Sequence, residues 1–558
     1  MRCRQPDNVR LIQKVSSDRS ATADANLPPQ LIKQSLLRMG VFAQLYDQRW
    51  GLALLAVGFY VVSKIHAYTK LRAFKGPVGT GFFNLWNSWA LFSQESHLRY
   101  KEACEKYAPG SIVRIGPNDL LTSSPELLMY MSGVRSPYYR SSWFYKSSRP
   151  RPGIDNVFSS SGPEGEATHT RKRQQLAPGY AGKESPLMES SVDQQVTNLV
   201  ALLRERYRSS EARVKPVDMG DKLSFFTLDV ISALSLGRAF GDLANDADMH
   251  GYMEATEAAF GYLNALVASP FGMMMQIPLV HRLVGPQETD ATGVGKIVCM
   301  ARQNLKERLR HDTKQKSDMV ASFVRHGLSF EELVTEGQFQ IVAGSDTTAA
   351  ALKGVLLFLL SDRRVYHKLQ AEVDAAAQRL ALGPEQVIVD GDARALPYLQ
   401  AVVKEGMRCH PPVTLPIPKM VPPAGDTVVV DGREVFLPGG THVSYAAWAL
   451  HVREDVYGED AACYRPERWL AEEDPDRLAR MQRTHELNFG YGKYQCLGKQ
   501  LALMEVNKVV FQLLRNFDLA LTNPIHGWKK VNFLGIFSPG EMLVTVHERV
   551  ADAARKAE

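Results

Sequence analysis

At 558 residues with 45% apolar side chains, the chain is long enough for three or four small domains or one large unit with a substantial core. No Gly/Ser-rich or Pro-rich linker divides it after residue 76 and no repeat is evident, so one large unit is expected. A net charge of +6 without a Lys/Arg run interleaved with aromatics argues against nucleic acid as a partner. Six cysteines (Cys3, Cys104, Cys299, Cys409, Cys463, Cys496) without CxxC spacing argue against a disulfide framework or a zinc site.

The first 49 residues form a polar extension, with Ser16 to Asp24 its clearest disordered stretch. An apolar run from Trp50 to Val62 follows, too far from Met1 for an ordinary cleavable signal peptide. It is shorter than the ~17–25 residues a spanning helix needs. Extension to Tyr68 reaches that length but includes Lys64 and His66, which must snorkel. Residues 50–68 are therefore read as a candidate single-pass anchor, against an interfacial helix or a buried core element. Gly76-Pro77 reads as a stiff hinge after it.

Further on, Phe225 to Ser232 followed by Leu236 to Gly241 reads as an amphipathic core helix. Ser329 and Glu332 form a capping box that opens a proline-free helix reaching about Leu360. Halfway along lies Ala343-Gly344-Ser345-Asp346-Thr347-Thr348, unusual for a core helix. Glycine there costs about 1 kcal/mol relative to alanine. Thr347 can bond back to the Ala343 carbonyl, and Gly344 removes a side chain that would crowd a small ligand. A kinked core helix with a partly solvated Asp is the plain alternative.

Leu396 to Pro412 begins with proline at a helix start and stops at two prolines. Glu405 and Arg408, three apart, share one face with apolar Leu399, Val402 and Val403, which predicts a buried pair. Such a pair needs a further polar partner, and Tyr464 to Trp469 supplies a candidate. Last comes Phe489-Gly-Tyr-Gly-Lys-Tyr-Gln-Cys496-Leu-Gly498, ahead of a strongly helical run. A tight loop and a helix N-terminus both favour a thiolate at Cys496. Glycines at 490, 492 and 498 would let a flat, bulky group approach the backbone.

The order Phe489-x-x-Gly492-x-x-x-Cys496-x-Gly498 resembles the cytochrome P450 family of haem-thiolate monooxygenases. The resemblance covers roughly residues 76–548, leaving a tail at 549–558. It implies a mainly α fold with a small β-rich subdomain near the N-terminal side. It also implies heme b, its iron bound through the Cys496 thiolate within a loop that includes Phe489, Gly490, Gly492 and Gly498. Asp346 and Thr347 become an acid–alcohol pair that delivers protons during dioxygen activation, beside a groove at Ala343 and Gly344. Arg468 joins Glu405 and Arg408 in a structural triad. His169 and Arg173, four apart in a basic helix, and Lys419 become partners of the haem propionates. One departure stands out: Tyr494 occupies the place where the family usually carries Arg or His toward a propionate.

Walls of a substrate pocket are expected from Tyr138 to Phe158, Phe260 to Met275, Phe339 and Ile341, Val413 to Ile417, and Phe533 to Phe537. All are apolar in character, so a neutral hydrophobic substrate is expected. With no flavin, iron–sulfur or nicotinamide motif in the chain, electrons are expected from an NADPH-cytochrome P450 reductase, with O2 as co-substrate. Lys493 and Lys499 are candidates for docking that donor. The resemblance further implies an endoplasmic-reticulum membrane anchor with the enzyme facing the cytosol. The glycine-rich loop, the phenol at 494 and the Glu-x-x-Arg context most resemble fungal pisatin-demethylase-like members, which suggests secondary-metabolite hydroxylation or O-demethylation. A peroxide-dependent isomerase or dehydratase, or a non-enzymatic haem sensor, would share Cys496 but has less use for the acid–alcohol pair.

Overall fold

The computed structural model describes residues 49–107, 112–149, 151–268, 270–310, 318–470, 474–525, 527, 532–533, 535–537 and 540–549. The polar extension before residue 49 and the tail beyond 549 lie outside the described residues. The chain divides into two compact units, Met1–Lys70 and Leu71–Glu558.

The described part of the first unit is a single helix, α1 (Arg49–Lys70). It continues unbroken past the apolar run and through Lys64 and His66, giving 22 residues and about 33 Å of length. Many of its described apolar side chains are exposed, Trp50 by 72%, Leu55 by 73% and Phe59 by 78%. The expected hinge at Gly76 is not one. A Cβ there would meet the Arg114 carbonyl oxygen at 1.9 Å, and Arg114 N–H donates to Lys75 O at 2.8 Å. That stretch is already docked on the second unit.

In the second unit the helices that position the site are α2 (Gly165–Tyr180), α3 (Met219–Leu236), α4 (Tyr252–Ala268), α5 (Phe330–Ser361), α6 (Pro397–Cys409) and α7 (Lys499–Asn516). Helix α5 starts where the sequence predicts. Glu332 N–H donates to Ser329 Oγ, and the Glu332 carboxylate accepts from Ser329 N–H at 3.0 Å. Its apolar stretch is long enough to cross a membrane, but 61% of that window is buried, so it is the core helix of this unit. Helix α3 lies along it, capped by Asp218 and ended by Gly237 in the left-handed region (φ 76°). At their crossing a Cβ on Gly344 would meet Ile231 at 2.8 Å. This glycine therefore sets the approach of two helices as well as one edge of the cavity. Helix α6 opens with Pro397 in its first turn and buries Leu399, Val402, Val403 and Met407 on one face.

The main sheet has five strands: β1 (Ile112–Arg114), β2 (Asp119–Thr122), β3 (Tyr139–Arg140), β4 (Lys419–Met420) and β5 (His442–Tyr445). Their order is β1-β2-β5-β4-β3, with β2 and β5 parallel and the other pairs antiparallel. The small β region is thus not confined to the N-terminal side. Parallel pairing of β2 with β5 joins segments some 320 residues apart, and the intervening helices form the crossover. A second sheet gathers Val217–Asp218, Leu543–Glu548 and Phe517–Leu521.

Candidate active site

Cys496 sits between a short 3-10 turn (Gly492–Tyr494) and the first residue of α7. Its N–H donates to Phe489 O at 2.7 Å, closing the loop. Gly492 has φ +56°, and a Cβ there would meet Ser132 O at 2.3 Å, so this glycine serves the fit of the loop against the neighbouring backbone. Gly490 is likewise left-handed (φ +70°), whereas a Cβ at Gly498 would make only ordinary contacts, 3.8 Å from the Cys496 sulfur. The sulfur is accessible by surface area yet surrounded by protein, because it opens into a cavity of about 470 Å³. Backbone N–H groups of Gly498 and Lys499 and the charge of Arg173 favour the thiolate, but burial outweighs them and pushes the thiol pKa up. The loop alone therefore does not secure the thiolate that the sequence suggested; a cation bound at the sulfur would have to complete it.

A cluster of cations lines another part of the cavity: Arg140, Arg173 and Lys419, with His169 beside them. Arg173 Nη1 donates to Gln495 O at 2.6 Å and so ties α2 to the ligand loop. Burial, then Arg140, Arg173, Lys493 and Lys419, push His169 down to about 3, so the imidazole is neutral. Its Nε2 is buried and has no partner among the described residues. Lys419 is shifted well down by burial and by Arg140 and Lys493. The phenol of Tyr494 does not face the cavity as a free donor. Its hydroxyl donates to Glu166, whose other oxygen pairs with Lys493 at 3.1 Å.

Helix α5 supplies the wall at Phe339, Ala343, Gly344 and Thr347. Thr347 Oγ1 donates to Ala343 O at 2.7 Å, the back-bond its spacing predicts. Asp346 and Thr347 do not share the cavity. Asp346 turns toward α4, where the Tyr252 hydroxyl donates to its Oδ2 at 3.2 Å, and it is absent from the cavity wall. Burial pushes its pKa up to about 7, against the lowering effect of Lys353 and the Tyr252 hydrogen bond. Adjacent helix positions are rotated by about 100°, which separates the acid from the alcohol. Ile341 also misses the cavity and is buried in the main core.

Below α5, Glu405, Arg408 and Arg468 meet with side chains fully buried. Arg408 grips Glu405 bidentately at 2.8 and 2.9 Å, and Arg468 Nε donates to the same carboxylate at 2.9 Å. Trp469 Nε1–H and Arg465 N–H complete its acceptors at 2.9 Å. The remaining guanidinium donors reach carbonyls of His451, Tyr457, Asp460, Ala461 and Cys463, and Arg468 also donates to the Asp460 carboxylate at 2.8 Å.

Two cavity residues escape a reading of the sequence. Arg140 looks like one more residue of an apolar loop until β3 pairs with β4 and sets it opposite Lys419. Glu505 is the carboxyl in the cavity wall among the described residues, buried and pushed well up by desolvation. Its signal was available: an acid nine residues after Cys496 among apolar Leu501, Ala502 and Val506. The expected stretches contribute Phe144, Phe158, Phe260, Leu415, Ile417 and Ile536 to the wall, while Ile231, Val294 and Ile297 line it from outside them. Lys493 and Lys499 are ion-paired with Glu166 and Glu486, so neither is a free docking charge.

Residues 77–539 match the cytochrome P450 family, and the chain belongs to it. As a member it is an oxidoreductase, a haem-thiolate monooxygenase with a mainly helical fold. It is 41% identical to the cytochrome P450 monooxygenase ABA1 of Pyricularia oryzae over 507 residues, 90% of this chain and 97% of that protein. Identity to aba1 of Botryotinia fuckeliana is 35%, over 86% of this chain and 92% of that protein. Among solved structures, the cytochrome P450DA heme domain superposes with a TM-score of 0.63 at 18% identity, covering 81% of this chain and 92% of that one, a likeness of fold.

Proposed function

We propose that this protein hydroxylates or oxidatively demethylates a neutral, hydrophobic small molecule in fungal secondary metabolism, using electrons from an NADPH-cytochrome P450 reductase. The carrying observation is one cavity that holds the Cys496 sulfur, the Thr347 side chain and a largely aromatic and aliphatic wall. The residues fit a heme b. Cys496 would hold the iron, while Arg140, Arg173, Lys419 and the unpartnered His169 Nε2 would face its carboxylates. When bound, that group supplies dioxygen activation and C–H oxidation. In the overall balance one oxygen atom enters the product and the other leaves as water, with two electrons and two protons consumed.

The chain's own residues supply the rest. Phe144, Phe158 and Phe339 orient an apolar substrate and exclude water. Thr347 Oγ1, already donating to Ala343 O, presents lone pairs that can hold a water in the cavity. Asp346, near neutrality in its affinity for a proton, stores one behind the helix beside Tyr252. The exposed apolar surface of α1 supports a membrane anchor, here assigned to the endoplasmic reticulum with the second unit in the cytosol.

Purified full-length protein should give the carbon monoxide difference spectrum of a thiolate-ligated haem. It should also convert an apolar ligand only with reductase, NADPH and O2 together. Conversion driven by peroxide with no reductase requirement would overturn the reading.

A further inference from the structure

Arg140 and Lys419 stand directly opposite each other across the antiparallel β3–β4 pair. Like charges in that relation repel, and both side chains are buried. Arg140 Nη1 bonds the carbonyls of Val157 and Phe158, and no carboxylate pairs with either cation among the described residues. What both cations share is one aromatic ring. Lys419 Nζ lies 3.8 Å and Arg140 Cζ 4.7 Å from the centroid of Tyr494. The phenol's single proton is already committed to Glu166, and a carboxylate acceptor enriches the ring in electron density.

We propose that Tyr494 is a positioning residue whose ring, not its hydroxyl, holds Arg140 and Lys419 in place to receive the two carboxylates of the haem. This rests on the reading that Cys496 binds a haem. An arginine or histidine at this position would contribute its own hydrogen bond to a propionate. Here the same task passes to two cations on neighbouring strands, and the aromatic face offsets their repulsion until an anion arrives.

The test measures haem loss from the full-length holoprotein to excess apomyoglobin, with circular dichroism as a check on folding. Tyr494→Phe should lose haem within about twofold of the wild-type rate, and Tyr494→Leu about tenfold faster. In a Lys419→Met background the leucine penalty should shrink, because the partner it serves is gone. Equal loss from the Phe and Leu variants, or a leucine penalty unchanged in Lys419→Met, overturns the proposal. Should Tyr494→Leu fail to fold, Arg140→Met and Lys419→Met decide: each should accelerate haem loss, and a wild-type rate in both overturns it. Wild-type protein that takes up no haem at all would instead sink the underlying reading.

Discussion

Two clusters of buried cations lie in the second unit, and they are built on opposite principles. Around Glu405 two guanidinium groups share one carboxylate, Arg468 also pairs with Asp460, and carbonyl oxygens take up the other donors. Around Tyr494, Arg140 and Lys419 meet an aromatic face with no carboxylate of their own, and their cluster opens into the cavity. A cluster that satisfies itself is a structural lock. One left with excess charge beside a cavity suits the anion site proposed above. The difference lies in partner counts and in access, since both clusters are buried but only the second opens into the cavity.

The comparison can be broken most forcefully at Glu405. Glu405→Ala strands the buried Arg408, leaves Arg468 with Asp460 alone and should cost about 3–5 kcal/mol, read as a lowered denaturant midpoint and protein recovered without haem. Normal haem content in that variant would remove the triad's structural role.

Asp346 is an intermediate case, a buried acid with a lysine nearby but no direct salt bridge to it among the described residues. Its folded pKa of about 7 lies above the ordinary aspartate value of 3.8, so its ionisation opposes folding. Stability present below about pH 4 is therefore lost as pH rises toward 7, then levels off. Asp346→Asn should gain on wild type across that window, by on the order of 4 kcal/mol at pH 8. A pH-independent difference in unfolding midpoint would show that the acid is not held protonated.

At the cation cluster the expected sign reverses. Lys419→Met removes like-charge repulsion without taking a donor from a backbone carbonyl among the described residues, so the apoprotein should be no less stable while the holoprotein loses haem about tenfold faster. A clear drop in apoprotein stability would make this cluster a second lock. The smallest effect is expected from salt. With Lys493 and Lys499 already paired, reduction by the electron donor should slow less than threefold or so between low and physiological ionic strength. A steep dependence, read by stopped-flow reduction, would mean that these pairs open on docking.

Much of this molecule is legible in local pattern. The capping box at Ser329, the proline start of α6 and the glycine-framed cysteine each encode their own conformation within a few residues. The Glu-x-x-Arg pair announces its burial through its apolar helix face. Less legible is where a helical residue points once neighbours are added. Asp346 and Ile341 lie in the expected helix, yet packing against α3 and α4 turns both away from the cavity. Gly344 reads as room for a ligand and also proves to be room for Ile231.

The sequence by itself determined the family, the glycine-framed cysteine loop, the long central helix and the apolar character of the pocket, because each rests on spacing within one segment. Tertiary structure alone decided the partners of Tyr494, the pairing of Arg140 with Lys419 and the net pKa direction at Cys496. These depend on strand pairing, burial and charge brought together from segments hundreds of residues apart, which local periodicity does not carry.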